Sequence, residues 1–138
     1  MAASRKKAGK KKATARKKFR PPKNSFVVEP IALDFDKMGG LVPFVLQHAW
    51  SREVLMVGFM NPEAWKTTCT TGILTLYRRT LGRVWAMGED DGNFVKITRV
   101  KVDCDDDTVV FETAADFPIC GQGYQSCFFK EVPGPAHH

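Results

Sequence analysis

After residue 25, apolar and polar positions alternate along most of the chain, and one stretch interrupts the alternation with helical punctuation. "LVPFVLQHAW" and "REVLMVGFM" read as two strands joined by a turn near Trp50–Arg52. "MNPEAWKTTCTTG" then changes period. Asn61 is suited to cap a helix, Pro62 to its first position, Glu63 to its positive end and Gly72 to its termination. That predicts about ten residues of helix. "ILTLYRR" is a strand that turns at Gly82 into "RVWAMG", and "EDDGN" is an acidic loop. "FVKITRVKVDCD" is a long alternating strand, with "TVVFETA" as its hairpin partner across Asp106-Asp107. Six or seven strands with one clear helix predict an α+β domain built on a mostly antiparallel sheet.

Composition changes this picture mainly at the N-terminus. The 138 residues suffice for one domain and not for two. The net charge of +6 hides a division. Residues 1–28 carry eleven Lys or Arg and no acid, while the rest holds ten basic residues against 15 acids, a net of −5. Lys/Ala-rich residues 1–24 therefore read as a disordered basic tail, residues 25–132 as the folded domain and 133–138 as a C-terminal tail. The basic tail suits non-specific contact with polyanions, its plainer reading being a solvated arm. Neither a membrane-spanning run nor the apolar core of a signal peptide is visible, so the expected location is cytoplasmic.

In a reducing compartment, clustered cysteines point to metal or reactive chemistry rather than disulfides. Cys104, Cys120 and Cys127 fall within one stretch, and "CGQGYQSC" makes a polar, glycine-bearing loop suited to wrapping a metal. Three thiolates with one open position describe a catalytic zinc, and three buried free cysteines are the alternative. Asp103, Asp105 and Asp107 alternate with Cys104. Extrapolated strand alternation places Cys104 on the face of Val100 and Val102, away from Asp103 and Asp105. Hard oxygens suit Mg²⁺ and soft sulfur suits Zn²⁺, so two sites are expected; an acidic hairpin tip is the plainer reading of the aspartates.

"VLMVGFMNPEAW…TTG", a variant of "Y…RG" with its following Trp, the "DCDxD" element and C-x6-C-F together resemble the phosphoribosyl-AMP cyclohydrolase family over roughly residues 41–129. The resemblance implies an intertwined homodimer that opens the adenine ring of phosphoribosyl-AMP in histidine biosynthesis. It implies zinc on Cys104, Cys120 and Cys127, contributed across the dimer interface, and magnesium on Asp103, Asp105 and Asp107. Cys69 has no counterpart among those ligands. The implied chemistry is attack at C6 by a water acidified on zinc, with cleavage of the N1–C6 bond. Magnesium would hold phosphate or a bridging water.

The departures from the family pattern cluster around the substrate. Its "CHTG" is here "CGQG", so Gly121 replaces a histidine. Its "SRSR" is here Arg78-Arg79-Thr80-Leu81, which gains Arg78 and loses a cation at Leu81. Its "KGETSG" is here "MGEDDG", with Met87, Asp90 and Asp91 substituted. His48 and Glu89 are the candidate replacement bases. Arg79, Arg83 and Lys96 are the candidate phosphate contacts. Two rival readings remain: a divergent paralogue acting on another purine-like or N-heterocyclic substrate, and a metal-stabilised non-enzymatic domain with a polyanion-binding tail.

Overall fold

The computed structural model describes residues 26–135, so the expected basic tail, residue 25 and the last three residues lie outside it. The described chain contains six strands and one helix in the order β1 (Val42–His48), β2 (Val54–Met60), α1 (Pro62–Thr71), β3 (Thr75–Arg78), β4 (Arg83–Ala86), β5 (Ile97–Val102), β6 (Val109–Thr113). A four-stranded sheet has the order β2-β1-β6-β5, and β3 and β4 form a separate hairpin. Three of the pairings are antiparallel; β1 with β6, distant in sequence, is parallel. The α+β expectation with a mostly antiparallel sheet therefore stands.

The helix forms where its punctuation places it. The Asn61 side chain accepts the Ala64 N–H at 2.9 Å, Pro62 opens the first turn, and Gly72 closes the helix at φ 73. Its buried face, Ala64, Trp65, Thr68 and Cys69, packs on the sheet face formed by Val42, Phe44 and Leu46 of β1 with Val109 and Phe111 of β6. Phe44 and Phe111 meet edge to face at 5.6 Å. Each fully buried side chain of this size contributes about 1.5–3 kcal/mol. Buried Thr68 joins the helix to the hairpin: its hydroxyl donates to the Ala64 and Thr75 carbonyls and accepts the Thr75 N–H. Among the described residues no helix is long and apolar enough to cross a membrane.

Two local departures from simple alternation matter for the site. β5 carries an irregularity at Thr98, so Ile97 is buried before it while Val100 and Val102 face the core after it. The strand then ends at Val102 rather than running on to Asp105. The expected face assignment for Cys104, Asp103 and Asp105 has no strand to rest on.

On the opposite sheet face, register puts Val57, Val45, Val110 and Lys101 in one row across the four strands. The next row holds Gln47, Glu112 and Arg99. Glu112 is buried, with Oε2 3.3 Å from Arg52 Nη2 and 3.4 Å from Lys101 Nζ. Burial works against its ionisation, but Arg52 and then Lys101 outweigh it and hold the carboxyl below its usual range. Arg52 adopts a left-handed backbone, φ 67, a strained conformation for a residue with a side chain.

Cys69 is a core residue, and burial pushes its thiol up to about 11 from an ordinary 9.0. The folded state thus favours the neutral thiol. Its stabilising effect is complete below pH 9.0 and is lost as pH rises toward about 11. Cys69→Val is expected to flatten the decline in unfolding free energy across that window, measured by denaturant titration against the parent chain. Equal declines in the two proteins would disprove the assignment.

Candidate active site

A cleft of about 610 Å³ opens between the β3–β4 hairpin, the loop after β4 and the segment around Cys120 to Cys127. Strand alternation decides which hairpin side chains face it. Leu76 lies opposite Trp85 and Arg78 opposite Arg83, so these four share one face of the hairpin. Leu76, Arg78 and Trp85 line the cleft. Gly88, at φ +112, brings the loop so close to Phe94 that a Cβ there would sit 2.7 Å from its backbone. This tight return places Asp90 and Asp91 in the cleft wall.

The thiols come from a loop held at both ends. The Cys120 N–H donates to the Tyr124 carbonyl at 3.0 Å, and the Gly123 N–H donates to the Cys120 carbonyl at 2.9 Å. The Cys127 N–H donates to the Leu55 carbonyl on β2 at 2.8 Å, and the buried Ser126 hydroxyl donates to the Val54 carbonyl at 2.7 Å. Cys120 and Cys127 both line the cleft. Burial, and then Cys120, hold the Cys127 thiol above its usual range, while the Gln122 N–H donates to Cys120 Sγ at 3.4 Å. Two soft sulfur donors facing a cleft, one receiving a backbone N–H, suit zinc.

Cys104 is elsewhere, exposed in the β5–β6 turn. Among the described residues, no three His, Cys, Asp or Glu side chains of one chain come together to hold a metal. The aspartates of that turn shape it. The Asp103 carboxylate accepts the Asp107 N–H at 3.0 Å, and Asp106 takes a left-handed backbone at φ 58. Asp107 pairs with Lys37 at 3.0 Å, and that ammonium is the chief reason its carboxyl sits below the usual range. Asp105 is exposed beside them.

The remaining sequence candidates have local roles. His48 Nδ1 accepts the N–H groups of Trp50 and Ser51 at 3.1 and 3.2 Å, closing the β1–β2 turn. Glu89 accepts the Ala86 N–H at 2.8 Å and lies 3.5 Å from Arg83. Neither lines the cleft, although Glu89 sits between two residues that do. Arg79, one residue past β3, stacks on Phe59 at 4.7 Å. Arg83 donates to the Val84 carbonyl at 2.9 Å. Lys96 lines a second cleft, about 520 Å³, which shares Asn93 and Phe117 with the first. Arg78 is the cleft cation that sequence reasoning passed over. Its signal was present in the alternation of "TLYR" against "RVWA", which puts it beside Trp85.

Comparison with known proteins adds a lineage to this geometry. The family model described as phosphoribosyl-AMP cyclohydrolase matches residues 56–129. A phosphoribosyl-AMP cyclohydrolase of Desulfatibacillum aliphaticivorans is 43% identical over 105 residues, covering 75% of this chain and 84% of that protein. A histidine biosynthesis bifunctional protein HisIE of Bacteroides thetaiotaomicron is 46% identical over 103 residues, covering 75% of this chain and 51% of that protein. The corresponding bifunctional protein of Escherichia coli strain K12 is 45% identical over 96 residues, covering 70% of this chain and 47% of that protein. The chain thus spans about half the length of the bifunctional relatives it matches. With its cysteine pair set in the cleft and the match running from β2 to Phe129, the chain belongs to the phosphoribosyl-AMP cyclohydrolase family.

Proposed function

We propose that this chain is a metal-dependent hydrolase of histidine biosynthesis that opens the adenine ring of phosphoribosyl-AMP at the N1–C6 bond. The observation that carries the reading is the placement of Cys120 and Cys127 together in a cleft walled by Trp85 and Arg78. Water adds at C6 and N1 takes a proton as the bond breaks. Its oxygen ends as the carboxamide oxygen of the opened ring.

Cys120 and Cys127 would hold zinc, whose Lewis acidity lowers the pKa of a water toward ~7. Trp85 offers an aromatic wall for the purine, and Asp90 and Asp91 are the cleft carboxylates placed to hold a proton. Asp91 also accepts the Asn93 N–H at 3.0 Å, which leaves Asp90 the less committed of the two. The third thiolate, Cys104, would come from a second copy of the chain, since it is exposed and apart from the other two. The outer sheet face, with Val57 47% exposed beside Val45 and Val110, is the apolar surface such a homodimer would cover. Asp103, Asp105 and Asp107 would hold magnesium, with Lys37 as the cation it displaces.

One observation favours a second reading. Met87, Asp90 and Asp91 all line the cleft and occupy positions where the family pattern has Lys, Thr and Ser. Such a wall suits an N-heterocycle carrying less phosphate. Turnover of phosphoribosyl-AMP by the full chain loaded with zinc and magnesium, followed by absorbance on ring opening, separates the two. Turnover is expected. Its absence with about one zinc bound per chain would overturn the substrate assignment and leave the second reading.

A further inference from the structure

We infer that Arg78 is a specificity-determining residue that takes a phosphate monoester of the substrate, a job for which the family pattern has a serine at this position. The inference rests on the cyclohydrolase reading of the cleft.

Three hairpin arginines are available, and their surroundings differ. Arg83 is committed to the Val84 carbonyl and lies near Glu89. Arg79 lies flat on Phe59. Arg78 stacks on Trp85, with its guanidinium carbon 4.8 Å from the ring centroid, and both residues line the cleft that holds Cys120 and Cys127. Among the described residues no carboxylate lies within ion-pair distance of it.

Stacking uses the face of the guanidinium. It leaves the N–H groups around its edge free and limits the side chain's rotation. A planar fork held this way suits the oxygens of a phosphate dianion, which it can bind through two parallel hydrogen bonds. Met87 lines the same cleft with no charge to offer. Leu81, 48% exposed at the hairpin tip, offers none either. Arg78 thus restores one of the two cations missing from the hairpin and its following loop, at a different place in the cleft.

The test compares full-length wild type, Arg78→Met and Arg78→Lys, using phosphoribosyl-AMP for kinetics and AMP and adenosine as non-reacting probes in calorimetry. Arg78→Met is expected to raise KM and the Kd for AMP by about tenfold or more. It should leave kcat and adenosine affinity within about twofold, the pattern of lost ground-state binding. Arg78→Lys should recover part of the AMP affinity. An unchanged AMP affinity in Arg78→Met, or a wild type that binds AMP no tighter than adenosine, would overturn the inference. AMP binding that depends on Arg78 in a protein that does not turn over phosphoribosyl-AMP would uphold the phosphate contact and refute the reaction assignment.

Discussion

Serine in place of Cys120 is expected to strip zinc from the protein and to lower phosphoribosyl-AMP turnover by more than about a thousandfold. The zinc these thiols would hold supplies a water acidified toward ~7, and that nucleophile would be lost with the ion, so the drop should far exceed the loss of one binding contact. The fold should survive. Cys120 lies outside the buried core around Phe44, Phe111 and Trp65, and its thiol meets only the Gln122 N–H and the neighbouring Cys127 thiol among the described contacts. Metal analysis and circular dichroism on the same sample read the two consequences separately. A serine variant that keeps its zinc and its rate would remove the cysteine cleft from the mechanism.

Mixing two inactive variants should restore activity, a stranger effect. Cys104→Ser and Cys120→Ser should each break both sites of the proposed homodimer, in which Cys104 would come from one subunit and the Cys120–Cys127 pair from the other. After unfolding and refolding together in equal amounts, half the dimers are mixed. Each mixed dimer has one doubly damaged site and one intact site, so recovery should reach about a quarter of the wild-type rate. The expectation follows from the separation of Cys104, exposed in the β5–β6 turn, from the thiols in the cleft. If all three cysteines served one chain, no mixture of the variants would gain activity.

Local chemistry made much of this molecule legible in its sequence. Asn61, Pro62 and Gly72 bounded the helix because capping is decided by a few neighbouring residues. The β3–β4 hairpin was readable for the same reason, and the glycine-bearing loop does bring Cys120 and Cys127 to one cleft. The parallel pairing of β1 with β6 was not readable, because it joins segments some sixty residues apart and has no turn to announce it. Alternation failed in β5, where the irregularity at Thr98 resets the phase and the strand stops before Cys104. His48 and Glu89 looked like bases because their residue types suit that work. Their surroundings show them accepting backbone N–H groups in turns, a use that no spacing rule displays. The choice among three neighbouring arginines needed contacts as well as order: Phe59 holds one, Glu89 lies beside another, and Trp85 presents the third.

The six-residue span between the two cleft thiols begins one residue past buried Ile119 and ends on the edge of β2. Its ends are pinned by contacts that involve no metal. Little ordering entropy would then remain to be lost on binding the proposed zinc, so the two sulfurs would act as a preformed chelate rather than as a floppy arm. Small zinc modules spend much of their metal affinity on folding themselves. Here the core around Phe44 and Phe111 contains none of the three candidate zinc cysteines, so a chelator is expected to empty a zinc-loaded cleft while leaving the chain folded.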